Sequence, residues 1–113
     1  AMIMITTQTL IDAGLFTLKT AGDPAKNIGK VFCCDLLSIA MGRAPSESAW
    51  VTVMGNRNTL AVASLADISC IILAEGITFQ DAELDCAEQE GIAVFTTELP
   101  VFDAALKIQE LLS

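Results

Sequence analysis

Residues 49–76, AWVTVMGNRNTLAVASLADISCIILAEG, hold two strand-like apolar runs with one helix-length segment between them. That order constrains the fold more than any other feature of the chain. Parallel strands need a long crossover, usually a helix, so the stretch predicts a βαβ unit. AWVTVM, 49–54, reads as a strand with Trp50, Thr52 and Met54 on one face and Val51 and Val53 on the other. GNRN, 55–58, is the turn, and Asn56 or Asn58 is a suitable cap for the next helix. TLAVASLAD, 59–67, is apolar nearly all round, which predicts a helix buried on more than one side. SCIILA, 69–74, is a continuous apolar run, the pattern of a central strand in a parallel sheet. Glu75 and Gly76 break it.

The alternation continues to the end. Thr78 with Asp81 has the spacing of a capping box and opens a helix through Glu90, which Gly91 ends. IAVF, 92–95, is the next buried strand. TTELP, 96–100, supplies caps and a proline tolerated in a first turn. The last helix carries one stripe of Val101, Ala104, Ala105, Ile108, Leu111 and Leu112. Leu99, Phe102 and Leu106 form a second, adjacent stripe, expected to face a partner. From 49 to 113 the pattern is β-α-β-α-β-α. It predicts an α/β fold of three layers, a mainly parallel sheet built from right-handed βαβ units.

The first half reads as an attached half-domain. Hydroxyls open a helix over 6–13 and Gly14 ends it. LFTLKT, 15–20, alternates as a short strand, and AGDPAKN, 21–27, is a loop. IGKVFCC, 28–34, is a strand with Gly29 as a kink or close approach. Asp35 is expected to cap LLSIAMG, a helix ending at Gly42, and RAPSES, 43–48, is a second loop. At 113 residues the expectation is one domain, 1–113.

Composition narrows the function. Hydrophobic residues make up 53% of the chain and charged residues only 18%, so part of the apolar excess is expected to be covered by a partner, most simply a second copy. The net charge is −8, from 14 acids against 6 bases, which excludes a nucleic-acid track. The bases Lys19, Lys26, Lys30, Arg43 and Arg57 lie in the first half, so a small anion site is compatible with that half. No apolar stretch reaches the ~18 residues of a membrane helix, and no secretory signal pattern is visible. Ala1 ahead of Met2 reads as a cloning remnant. The expectation is a cytoplasmic protein without membrane contact.

Candidate chemistry is sparse. Cys33, Cys34, Cys70 and Cys86 have no C-x-x-C spacing and there is no histidine, so neither a metal site nor a disulfide is expected. Cys34 precedes a helix, but Asp35 beside it opposes thiolate formation. No phosphate-binding lysine loop, dinucleotide fingerprint or nucleophile elbow is present. Ligands of open parallel sheets bind beyond the carboxyl ends of the strands. Those ends carry Gly55 to Asn58, Glu75 to Thr78, and Thr96 to Glu98. Gly55, Asn56, Arg57 and Asn58 can hold an anion such as a phosphate, or the asparagines are simply turn and cap. Asp35 is a helix cap, or a buried carboxylate near Arg57 or Lys30 that binds a ligand or relays protons.

CCDLLSIAMGRA, then AWVTVMGNRNTLAVASLADISCIILAEG, then AEQEGIAVFTTELPVFDAALKIQELL resembles a stand-alone DRTGG-domain protein from about Gly29 to the C-terminus. The region that names the family reads AKNIGK here, 25–30, and keeps one glycine, Gly29. The resemblance implies a single DRTGG-like domain, with a fold similar to the amino-terminal domain of HPr kinase. It implies a non-catalytic regulatory or dimerisation module, without cofactor, acting as a homodimer or with a protein partner. The alternative is a sensor of a nucleotide or other small anion. Its site would draw on Gly29, Asp35, Gly55, Asn56, Arg57, Asn58, Glu75 and Gly76. A thiol redox enzyme is the third reading.

Overall fold

The computed structural model describes residues 4–113. In chain order the elements are β1 (Ile5–Thr6), α1 (Thr7–Ala13), β2 (Thr17–Thr20), β3 (Asn27–Ile28), β4 (Lys30–Cys33), α2 (Leu37–Arg43), β5 (Ser48–Thr52), α3 (Arg57–Leu65), β6 (Cys70–Leu73), α4 (Asp81–Gln89), β7 (Ala93–Thr96) and α5 (Val101–Leu112). Five strands form one sheet in the order β2-β7-β6-β5-β4, and β1 with β3 forms a small separate ribbon. β4, β5, β6 and β7 run parallel, while β2 joins the edge antiparallel to β7.

The expected core βαβ unit is β5-α3-β6, and β6 holds the centre of the sheet. Its four residues are all buried. Period-two alternation sends Cys70 and Ile72 to one face and Ile71 and Leu73 to the other. The first face packs on α1 and α5 through Leu10, Ala104, Ile108 and Leu112. The second packs on α2, α3 and α4 through Ala40, Leu60, Val62, Ala63 and Ala87. The three-layer α/β architecture therefore follows from strands that are apolar on both sides. Trp50 and Val51 divide between the faces as the sequence pattern requires. The Trp50 indole N–H is satisfied by the carbonyl of Cys34 at 3.0 Å.

Several local readings need correction. The first half is not an appendage, because β2 and β4 are the two edges of the same sheet. The strand expected over 28–34 is two strands. β3 pairs with β1 and β4 with β5, and Gly29 sits at the switch with its N–H on the carbonyl of Glu47. The α3 helix is buried on one side only. Thr59, Leu60, Val62 and Ala63 face inward, but Ala61, Ser64 and Leu65 are exposed, because neighbouring helices flank α3 without covering its outer side. The start of α4 shifts by two residues. Phe79 is buried ahead of the helix, Gln80 is extended as its cap, and the Gln80 N–H donates to the Glu83 carboxylate at 2.8 Å. Pro100 occupies the cap position of α5, so Leu99 precedes the helix and packs with the core rather than beside Phe102.

The edge strand β2 is held from outside as well. Glu88 on α4 accepts hydrogen bonds from the Thr20 hydroxyl and from the Gly22 N–H. These bonds, the Thr20 hydroxyl first, hold its carboxyl below the ordinary value of 4.5. A lowered folded value stabilises the fold above the ordinary value, and that stability is lost as the pH falls through the folded value.

Two outcomes follow. Glu88→Gln should be less stable than the parent at neutral pH, and urea unfolding should show the difference shrinking below pH 4.5 and vanishing in stronger acid. A difference independent of pH would refute the ionic role. Ile72→Val should lower stability by about 0.5–1.5 kcal/mol, whereas Leu65→Ala should stay within about 0.5 kcal/mol.

Candidate functional site

All four parallel strands end on the same side of the molecule, so the loops after β4, β5, β6 and β7 share one rim. Asp35, in the loop after β4, does not cap α2. The cap position is Leu36 and carries no side-chain bond. The Asp35 carboxylate instead accepts from the Thr52 hydroxyl at 2.7 Å and from the Val53 N–H at 2.9 Å. Thr52 is fully buried, and its hydroxyl needs this acceptor. Asp35 thus ties the end of β4 to the end of β5.

The loop after β5 closes on itself. Asn56 is the cap of α3, its side-chain oxygen accepting from the N–H groups of Asn58 at 3.0 Å and Thr59 at 3.3 Å. The Thr59 hydroxyl donates to the Met54 carbonyl at 2.6 Å. Gly55 is pressed against the next loop. A Cβ there would lie 2.6 Å from the Ile77 side chain and 3.0 Å from the Thr78 carbonyl.

The loop after β6 is strained and braced. Glu75 and Gly76 both take left-handed backbone, at φ 59° and 76°. Their N–H groups donate to the carbonyls of Leu99 and Thr97, both at 3.0 Å, which joins this loop to the one after β7. A Cβ on Gly76 would meet the Glu98 carboxylate at 2.6 Å. Three loops therefore converge, as an anion site at this end would need.

Their contents differ from expectation. Gly55, Glu75 and Gly76 lie where the loops meet. Asp35 and Asn56 are occupied in holding their own loops. Arg57 lines a groove between α3 and α4 instead of the loop cluster, and Asn58 is exposed on the first turn of α3. Gly29 precedes β4 and so sits at the opposite, amino end of the parallel strands. The cavity at the rim has about 180 Å3 and is lined by Thr17, Lys19, Thr78, Thr96, Thr97 and Glu98, among others. Sequence reasoning missed Thr17 and Lys19, which arrive through the antiparallel edge strand. Their signal was the alternation of 17 and 19 against Leu18, which puts both on one face of a strand.

The thiols are free. Partial desolvation, and then the Asp35 carboxylate, push the thiol of the otherwise exposed Cys33 up. Burial pushes Cys70 up to about 12, partly offset by the Thr7 hydroxyl. Among the described residues no group of histidine, cysteine and carboxylate side chains can hold a metal ion, and no helix is long and apolar enough to cross a membrane.

No family model and no curated protein matches the chain. Among solved structures it is similar to the CBS and DRTGG domains of the regulatory region of a Clostridium perfringens pyrophosphatase, complexed with the activator diadenosine tetraphosphate. The chain has that fold. The TM-score is 0.77 at 17% sequence identity, over 95% of this chain and 47% of that one. The chain thus spans about half the length of the structure it matches. At this identity the likeness is one of architecture, and it meets the expectation of a DRTGG-like α/β fold.

The rim has a structural test. Gly76→Ala should destabilise by about 1–2 kcal/mol from left-handed backbone alone, with displacement of Glu98 adding to it. Asp35→Ala should cost about 1–2 kcal/mol by removing a charged acceptor. Urea unfolding measures both, and two silent substitutions would mean that the loops are not braced as described.

Proposed function

We propose that residues 1–113 form one DRTGG-like regulatory module, without catalytic activity of its own, that works as a homodimer in the cytoplasm. The observation that supports this is the shared fold, over nearly the whole chain, with half of a regulatory region. The surface agrees with self-association. Phe102 is 71% exposed and Leu106 is 47% exposed, one turn apart on the outer face of α5. Free cysteines suit a reducing compartment. A thiol redox role draws no support, since the Cys33 and Cys70 thiols are both pushed away from ionisation.

A second reading, compatible with the first, is a sensor of a small anionic ligand at the rim. Convergence of three loops and a hydroxyl-rich cavity with Lys19 favour it. The related regulatory region is complexed with a dinucleotide activator, which makes adenine nucleotides the first ligands to try. The rim also carries Asp35, Glu75 and Glu98, so a phosphate there meets repulsion unless hydroxyls, Lys19 and a counter-ion compensate.

Phe102→Asp should lower the mass seen by sedimentation from dimer towards monomer, and an unchanged profile would refute the α5 interface. Diadenosine tetraphosphate at 100 times its dissociation constant should add about 2.7 kcal/mol of stability, with Lys19→Ala weakening the effect. No thermal shift across diadenosine tetraphosphate, AMP, ADP and ATP would remove the sensor reading.

A further inference from the structure

The face of the sheet opposite α5 carries a different surface. α3 and α4 lie there, and an open groove of about 440 Å3 runs between them. Its α3 wall is formed by Arg57, then Leu60 and Ala61, then Ser64 and Leu65. These are positions i, i+3/i+4 and i+7/i+8, one helical face about 12 Å long at 1.5 Å per residue. The α4 wall repeats the spacing with Ala82, Cys86 and Glu90. Leu65 stands on the rim at 77% exposure, the most exposed large hydrophobic residue among those described.

A trough two turns long with apolar anchors at this spacing fits an amphipathic helix laid along it. Charge selects which helix. Glu83 and Glu90 line the groove against the single base Arg57 at its α3 end, and α4 with its cap also carries Asp81, Asp85 and Glu88 but no base. The helix that fits has an apolar stripe and lysines or arginines beside it. A second copy fits less well: α5 has Lys107 alone against Asp103 and Glu110, and α2 carries Arg43 beside exposed Ile39 and Met41 but is only seven residues long, shorter than the trough.

We propose that the α3–α4 groove docks a basic amphipathic helix of a partner protein. Apolar side chains one turn apart seat against the exposed Ala61 and Leu65, and the basic flank faces Glu83 and Glu90. This surface is separate from the α5 face and does not depend on dimerisation or on a ligand at the rim.

The test uses two fluorescent 18-residue helical peptides with identical leucine spacing and either lysine or glutamate at the remaining positions. Each is titrated against the full chain and followed by anisotropy. The lysine peptide should bind at least tenfold more tightly than the glutamate peptide. Leu65→Asp should weaken the lysine peptide tenfold or more, although it adds a negative charge that would strengthen unspecific attraction. Glu83→Gln with Glu90→Gln should narrow the preference, and Phe102→Asp should leave it unchanged. Leu65 is exposed, so circular dichroism should report an unaltered fold for the variant. The proposal is overturned if neither peptide binds, if both bind alike, or if Leu65→Asp binds the lysine peptide as well as the parent. A drop in solution mass on Leu65→Asp would also overturn it, by assigning the groove to a second copy.

Discussion

Burial of β6 on both faces is the constraint on which the rest of this structure depends. Ile71 and Leu73 must be covered from one side, Cys70 and Ile72 from the other. No single helix does both. The chain answers by placing α2, α3 and α4 on one face and α1 and α5 on the other, which sets the parallel order of β5, β6 and β7. Parallel order then brings every strand-to-helix loop to one rim. The candidate site is therefore a by-product of how the core is covered, and its loops are close because the strands are neighbours.

What was legible in the sequence was what periodicity controls. SCIILA declared a strand buried on both faces, and the stripe from Val101 to Leu112 declared the helix that covers one of them. What was not legible depends on tertiary neighbours. Asp35 looks like a cap by residue type, but a buried Thr52 hydroxyl on the adjacent strand is a better use for its carboxylate. Thr78 and Asp81 have the spacing of a capping box, yet burial of Phe79 delays the helix. Leu65 looks like core by hydropathy and is not, because among the described residues no element covers the outer side of α3. Thr17 and Lys19 enter the rim only because β2 joins antiparallel to β7, a pairing that no local pattern specifies.

Charge distribution separates the surfaces. The rim combines hydroxyls and one lysine with several carboxylates, so recognition there rests on hydrogen bonding more than on net attraction. The α5 face presents Phe102 and Leu106 beside Asp103, Lys107 and Glu110, charges of both signs that a copy of itself can pair. The α3–α4 groove is apolar with acidic sides, which suits a helix this chain does not have. The two apolar surfaces therefore differ in the kind of partner their charge would favour.

The most direct measurement of that account is the solution mass by light scattering across a concentration series, with and without diadenosine tetraphosphate. The expected result is a dimer, or a monomer–dimer equilibrium that the nucleotide shifts. A chain that stays monomeric at every concentration, with or without nucleotide, would contradict it.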